Sequence, residues 1–212
     1  MVAGCLHHDP YSYVCHDEDM PAHVLSRDSW IDAATEVLVD HGIDHVKVDA
    51  LALQLGVTRG SFYWHFKDRG ELLRSVLAAW HRLSTEQLTR RLEGASDDAV
   101  EQLESLLSLP FRGRAAVRAA RIELAIRAWA RRDDMARSAV DQSDASRIGY
   151  IAQVFSALGF GIKEARARAF LLYAYVVGES QMAGQGSAAQ RVERRELVLL
   201  VLRCKLPAVK PR

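Results

Sequence analysis

Five ring-bearing side chains run together at Phe62-Tyr63-Trp64-His65-Phe66, flanked by Arg59 and Lys67, in a chain that is only 8% Phe, Trp and Tyr. Rings with polar tips beside guanidinium and ammonium groups suit contact with phosphate oxygens and base edges. Two further groups have chemical potential. Cys5, His7, His8, Cys15, His16 and His23 crowd the N-terminus, and thiolate and imidazole are ligands for zinc or copper. Their spacing matches no paired-ligand pattern, so residues 1–25 read as a mobile tail; a true start at Met20 is the plainer alternative. No metal and no cofactor is expected. The third group is Arg112, Arg114, Arg118, Arg121, Arg127, Arg131 and Arg132, opposed within their own segment only by Glu123. Guanidinium forks match carboxylates and phosphates, which would capture a small anion. The blander reading is that the stems cover a core while the heads stay wet.

The elements that must position these groups are helical. Ala, Leu and Arg are plentiful and alternating strand patterns scarce, so composition points to an all-α fold. At 212 residues and 49% apolar, the chain suits a small module joined to a larger one, each with a core. Its formal charge of +1 implies no bulk attraction to any partner. Three cysteines fit a reducing compartment better than a disulfide framework. No run of about 18 apolar residues is present to span a membrane. No Lys or Arg precedes Arg27, so the N-terminus does not read as a secretory signal. The expected location is cytoplasmic, with no membrane partner.

Ser26 is placed to cap a first helix carrying Trp30, Ala33, Ala34, Val37, Leu38 and His41, with Gly42 as its stop. A short helix follows over about Val48 to Leu55, and Gly56 makes the turn. Thr58 then predicts a third helix, its hydroxyl reaching the Ser61 N–H. On that helix Phe62 and Phe66 share one face and pack inward. Arg59, Gly60, Ser61, Tyr63, Trp64 and His65 occupy the rest of the circumference. Asp68, with Glu71 three residues on, predicts a capping box opening a long helix over Arg69 to Glu93. Two helices joined by a tight Gly turn, the second short and polar-faced, form a helix-turn-helix. Arg59 can pair bidentately with guanine, Gly60 lets the backbone approach, and Lys67 and Tyr63 suit phosphates.

The stretch from Trp30 to Leu73 resembles the DNA-binding domain of the TetR family of transcriptional regulators. The residues carrying it are Ala33-Ala34, Gly42, Leu51-Ala52 and LGVTRGSFYWHFKDRGELL from Leu55. The resemblance implies that Tyr63, His65 and Lys67 contact the DNA backbone while Thr58, Arg59, Ser61 and Trp64 read or approach bases. Two positions depart from the family pattern. Lys47 stands where Thr is common; it can hold a phosphate but cannot cap. Asp49 stands where members can carry a basic or polar base contact. Between Ser26 and Arg74 there are six Lys and Arg against eight Asp and Glu, and Arg59, Lys67 and Arg69 are the local basic group. That balance predicts a moderate salt dependence.

The remaining chain reads as a larger helical domain for ligand binding and dimerisation. The expected divisions are a tail over 1–25, the helix-turn-helix domain over 26–73, the helical domain over 74–206 and a C-terminal tail over 207–212. After Arg69–Glu93, with Trp80 and Leu88 inward, Gly94-Ala95-Ser96 predicts a break, and Pro110 ends the next helix. Apolar rhythm then predicts helices over Arg114–Ala139 and Ser143–Leu158. Trp80, Arg118, Arg121 and Trp129 are the candidate effector-binding residues. From Ala169 to Val177 every residue is apolar or Tyr. A helix without a polar face needs cover on both sides, which points to a homodimer touching through Ile151, Phe155, Leu158, Phe170, Ala174 and Val177. The family resemblance points the same way, and a two-fold dimer would set two reading helices about 34 Å apart, one DNA turn. The reading that results is a ligand-responsive regulator of a palindromic double-stranded DNA operator, a repressor rather than an activator, released by a small molecule. An enzyme or anion-binding protein using the Arg-rich domain stays open as an alternative, as does a metal sensor using the tail. Against an enzyme, no nucleophile elbow, phosphate loop or paired metal ligands occur.

Overall fold

The computed structural model describes residues 25–93, 98–108, 113–182 and 185–205, with backbone alone for 85–93. The Cys/His tail, Gly94-Ala95-Ser96, Pro110, Pro207, Pro211 and the Leu88 side chain lie outside the described residues. Among those described, regular structure is helical throughout. Helix α1 (Arg27–His41) starts where Ser26 Oγ accepts from the Ser29 N–H at 3.2 Å, and ends where Gly42 takes a φ of +82°. A 3-10 turn (Ile43–His45) leads to α2 (Val48–Gln54) and α3 (Arg59–Tyr63). Helix α4 (Arg69–Glu93) has the bounds that its cap and periodicity predict. Then come α5 (Ala99–Ser108), α6 (Gly113–Trp129), α7 (Asp134–Ala157), α8 (Ile162–Gln181) and α9 (Ala188–Arg203).

One expectation fails. The rhythm over Arg114–Ala139 is two helices, and the segment expected to begin at Ser143 is the continuation of α7. The cause is Asp133, whose carboxylate accepts from the Ala136 N–H at 2.9 Å and caps a new helix. The Arg132 N–H closes the preceding turn on the Trp129 carbonyl at 3.1 Å.

Two apolar clusters form. The first gathers Trp30, Leu38, Leu51, Phe62, Phe66 and Leu72 from α1–α4, and continues through Trp80, Ile126, Trp129, Ala136 and Val140 of α4, α6 and α7. The second joins α5, the far half of α7, α8 and α9 around Leu103, Ile151, Phe155, Leu172 and Leu202. Arg168, buried in α8, donates to the carbonyls of Leu202 and Cys204 (the latter at 2.7 Å) and so secures the end of α9.

Along α7 the stretch between the two clusters is polar, and a network closes there. Arg127 donates to Glu123 at 2.8 Å, to Asp144 and to Tyr173. Arg147 donates to both Glu123 oxygens, each at 3.1 Å, and to Tyr173 Oη at 2.6 Å. The Tyr173 hydroxyl donates to Asp144, and Trp80 Nε1 donates to Glu123. Helices α4, α6, α7 and α8 thus meet on one set of charges. Burial pushes the Tyr173 phenol well above its ordinary value of 10.0; Arg147 opposes this, while Glu123 and Asp144 add to it. Because the folded value is the higher one, the folded chain keeps the Tyr173 proton above pH 10 where the unfolded chain loses it. Stability is therefore present below the unfolded value and is expected to fall as pH rises through and beyond it. Denaturant midpoints measured from pH 8 to 11 check this: Tyr173→Phe should flatten the alkaline decline, and an unchanged slope would remove Tyr173 as its source.

Candidate nucleic-acid interface

The turn between α2 and α3 is set by backbone bonds. The Val57 N–H reaches back to the Ala52 carbonyl at 3.0 Å, across Gly56 at a φ of +68°. A non-glycine residue there would be strained. Thr58 is extended and stands at the N-cap position of α3, but its hydroxyl makes no capping bond. Instead the Thr58 carbonyl accepts from the Ser61 N–H at 3.0 Å. The predicted hydroxyl cap is thus corrected, and the exposed Thr58 side chain is spared from capping.

Beneath the turn, Phe62 and Phe66 are buried and stacked with ring centres 5.3 Å apart, and Trp30 meets Phe62 edge-on at 5.3 Å. This inner pair fixes what the other residues present. Tyr63 is 52% exposed and Trp64 88% exposed. Lys47, Thr58, Arg59, Gly60 and Lys67 are exposed as well, while Ser61 and His65 are half-buried. Arg59 is first in α3; its Nη2 lies 3.3 Å from the Tyr63 hydroxyl, and its Nε lies 3.4 Å from an Asp49 oxygen.

Two arginines hold this surface to α4. Arg27 donates to the His65 carbonyl, to Glu71 at 2.8 Å and to Ser75 at 3.0 Å, with its guanidinium 4.2 Å above the Phe66 ring. Arg69 donates to the carbonyls of Val46 at 2.6 Å and Ile43 at 2.8 Å. Arg69 therefore leaves the basic group that the sequence suggests and becomes a strut. Asp68 accepts from the Glu71 N–H at 2.7 Å, and Glu71 accepts from the Lys67 N–H at 2.8 Å, so the box reaches one residue further back than expected. The Lys67 N–H, followed by Arg27, holds the Glu71 carboxyl below the usual carboxylate range.

The family model for bacterial regulatory proteins of the tetR family matches residues 31–76. The chain is 46% identical over 54 residues to the HTH-type transcriptional regulator SrpR of Pseudomonas putida, covering 26% of this chain and 25% of that one. It is 41% identical over 64 residues to the class D tetracycline repressor of Escherichia coli, covering 28% of this chain and 29% of the repressor. Residues 31–76 are a TetR-type DNA-binding module by sequence. The sequence match spans between a quarter and three-tenths of the length of these two curated relatives. A solved transcriptional regulator from Rhodococcus sp. Rha1 shares the TetR-like fold further, with a TM-score of 0.65 and 23% identity over 84% of this chain and 94% of that chain.

Outside the TetR-like head, the predicted effector residues do not gather. Trp80 and Trp129 are buried in the first cluster. Arg118 pairs with Glu36 and Arg121 with Asp40 at 2.7 Å, both on α1, and Arg132 follows with Asp44 at 2.8 Å. The Arg-rich run is thus matched by carboxylates outside its own segment, Glu36 and Asp40 on α1 and Asp44 in the 3-10 turn that follows it, which no reading of that segment could supply. Surface hollows of about 460 and 290 Å³ are lined by α9 and by α7–α8 residues, and include none of the four.

The predicted dimer residues divide. Ile151 and Phe155 are closed inside the second cluster and leave no surface for another copy, which corrects their assignment. Leu158 and Val177 are half-buried, Ala174 is exposed and Phe170 is 58% exposed. Sequence reasoning missed Leu171 beside them, and Val192, Leu197, Leu200 and Val201 on α9, all exposed. The spacing of Leu197, Leu200 and Val201 at three and four residues carried that signal.

Proposed function

We propose that this chain is a ligand-responsive, sequence-specific DNA-binding transcriptional regulator of the TetR family. It works in the cytoplasm as a homodimer and represses until a small molecule enters the helical domain. Residues 26–73 are the reading domain and 74–206 the effector and dimerisation domain. One observation carries this reading: a buried aromatic pair, Phe62 and Phe66, holds a short helix whose outward face is Thr58, Arg59, Tyr63 and Trp64, with Lys67 beside it. In the proposed complex, Lys47, Tyr63, His65 and Lys67 meet phosphates, while Thr58, Arg59, Gly60, Ser61 and Trp64 approach base edges. The similarity to the tetracycline repressor supports repression. The exposed apolar side chains of α8 and α9 support a two-fold partner, since such a patch on one chain marks an interaction surface. Release follows if the effector binds more tightly to a dimer whose reading helices are wrongly spaced.

Selection from a random duplex library tests this. The wild-type chain is expected to enrich one palindrome with half-site centres about 34 Å apart. Arg59→Ala should keep the spacing but lose about 1–3 kcal/mol of discrimination at one base pair per half-site. Enrichment of no sequence at moderate salt would refute DNA reading, and enrichment of a single unpaired half-site would refute the dimer.

A further inference from the structure

We propose that Asp49 is a positioning residue: it fixes the direction in which Arg59 is presented to a base pair, and so sets one base preference of the reading helix. The proposal rests on the DNA-binding reading above. Arg59 opens a helix of five residues, and its side chain is 62% exposed. A long exposed arginine samples many rotamers, and ordering it on binding opposes recognition. Here two side chains restrict it. Asp49 of α2 faces Nε at 3.4 Å, and the Tyr63 hydroxyl faces Nη2 at 3.3 Å. A guanidinium has five N–H donors in a planar fork. With Nε and one Nη2 hydrogen turned to these partners, the end-on pair from Nη1 and Nη2 remains, and that pair matches guanine O6 and N7.

The acid is otherwise awkward at this place. It lies on the helix preceding the reading helix, in a head that carries eight acidic against six basic residues between Ser26 and Arg74. A carboxylate near phosphates lowers affinity for every duplex alike. A pair exposed to water contributes little by itself, but screening by solvent falls once DNA covers it, and a fixed guanidinium then gains over a mobile one. The plainer role for Asp49 is to favour the N-terminus of α2, whose N-cap Lys47 offers no side-chain bond. That role predicts an effect on helix stability and none on base preference, so the two separate by experiment.

The full chain, Arg59→Ala, Asp49→Ala and Asp49→Asn are each carried through the random-duplex selection. Each is then titrated against duplexes differing only at the base pair that Arg59→Ala identifies. The wild type should discriminate there on the order of 10-fold or more. Asp49→Ala should fall towards the Arg59→Ala ratio at that pair while every other position keeps its preference. Asp49→Asn keeps the shape but removes the charge that faces Nε, and should fall with Asp49→Ala. Wild-type discrimination in Asp49→Ala, or an affinity gain shared by all duplexes with the ratio unchanged, overturns the positioning role alone. If Arg59→Ala changes no position, the reading role of Arg59 falls, and the role of Asp49 falls with it.

Discussion

Phe62→Ala is expected to cost about 3–5 kcal/mol of folding stability, lowering the thermal midpoint by roughly 10 °C for a chain of this size. The side chain is fully buried, with its ring against those of Trp30 and Phe66. DNA binding should go with it, because the rings beneath α3 decide where its outer face lies. Trp64→Ala gives the contrast. Two residues further along, the indole is 88% exposed. Its removal should change stability by no more than about 0.5 kcal/mol and still weaken binding. Calorimetry and duplex titration on both variants check the pair. Equal stability losses would mean that the inner and outer rings are not divided as described.

Glu123→Ala should be comparably damaging through another mechanism. Glu123 accepts from Arg127, from Arg147 and from the Trp80 indole. The three charged side chains are mostly buried, with the Arg147–Glu123 pair at 14% exposure on each side. Deleting the carboxylate leaves two guanidinium groups short of a partner, a change that costs about 3–5 kcal/mol in comparable buried pairs. Replacing Glu123, Arg127, Asp144 and Arg147 together with apolar residues of similar size should recover part of that loss, because no charge is then left unpaired while the Tyr173 hydroxyl and the Trp80 N–H still lose their partners. Urea unfolding of the single and quadruple variants decides it. A loss below about 1 kcal/mol in Glu123→Ala would show that water reaches and screens the network.

What the sequence made legible was local. Ser26, Asp68 and Glu71 mark helix starts through bonds spanning three or four residues, and the caps at Ser26 and Asp68 form where expected. Phe62 and Phe66 are both buried as their spacing suggests, but α3 ends at Tyr63, and Phe66 is brought inward by the turn that its N–H closes on the Phe62 carbonyl at 3.0 Å. Distant pairing was not legible. The partners of Arg118 and Arg121 lie 82 and 81 residues away on α1, and nothing in the Arg-rich run indicates them. Arg127, Arg147 and Tyr173 come from three helices, and no periodicity announces that they converge. The apolar rhythm of Val117, Ile122, Ala125, Ile126 and Trp129 does not announce the break before α7; its local signal is the capping residue Asp133. Ile151 and Phe155 belong to an apolar stripe, which looks the same in sequence whether its cover is internal or external.

The first cluster also bears on transplanting this head. Its apolar side chains do not stop at the end of the reading domain: Trp129, Ala130, Ala136 and Val140, from the joint between α6 and α7, pack in the same body as Trp30 and Leu38. A fragment cut after α4 would expose that face to water and lose the arginine partners of Glu36 and Asp40 on α1 and of Asp44 in the turn after it. Exchanging operator specificity between such regulators by splicing at residue 76 would therefore sever a packed unit. A chimera that keeps α1 matched to its own α6–α7 joint, and replaces only the outward residues of α2 and α3, leaves that unit whole.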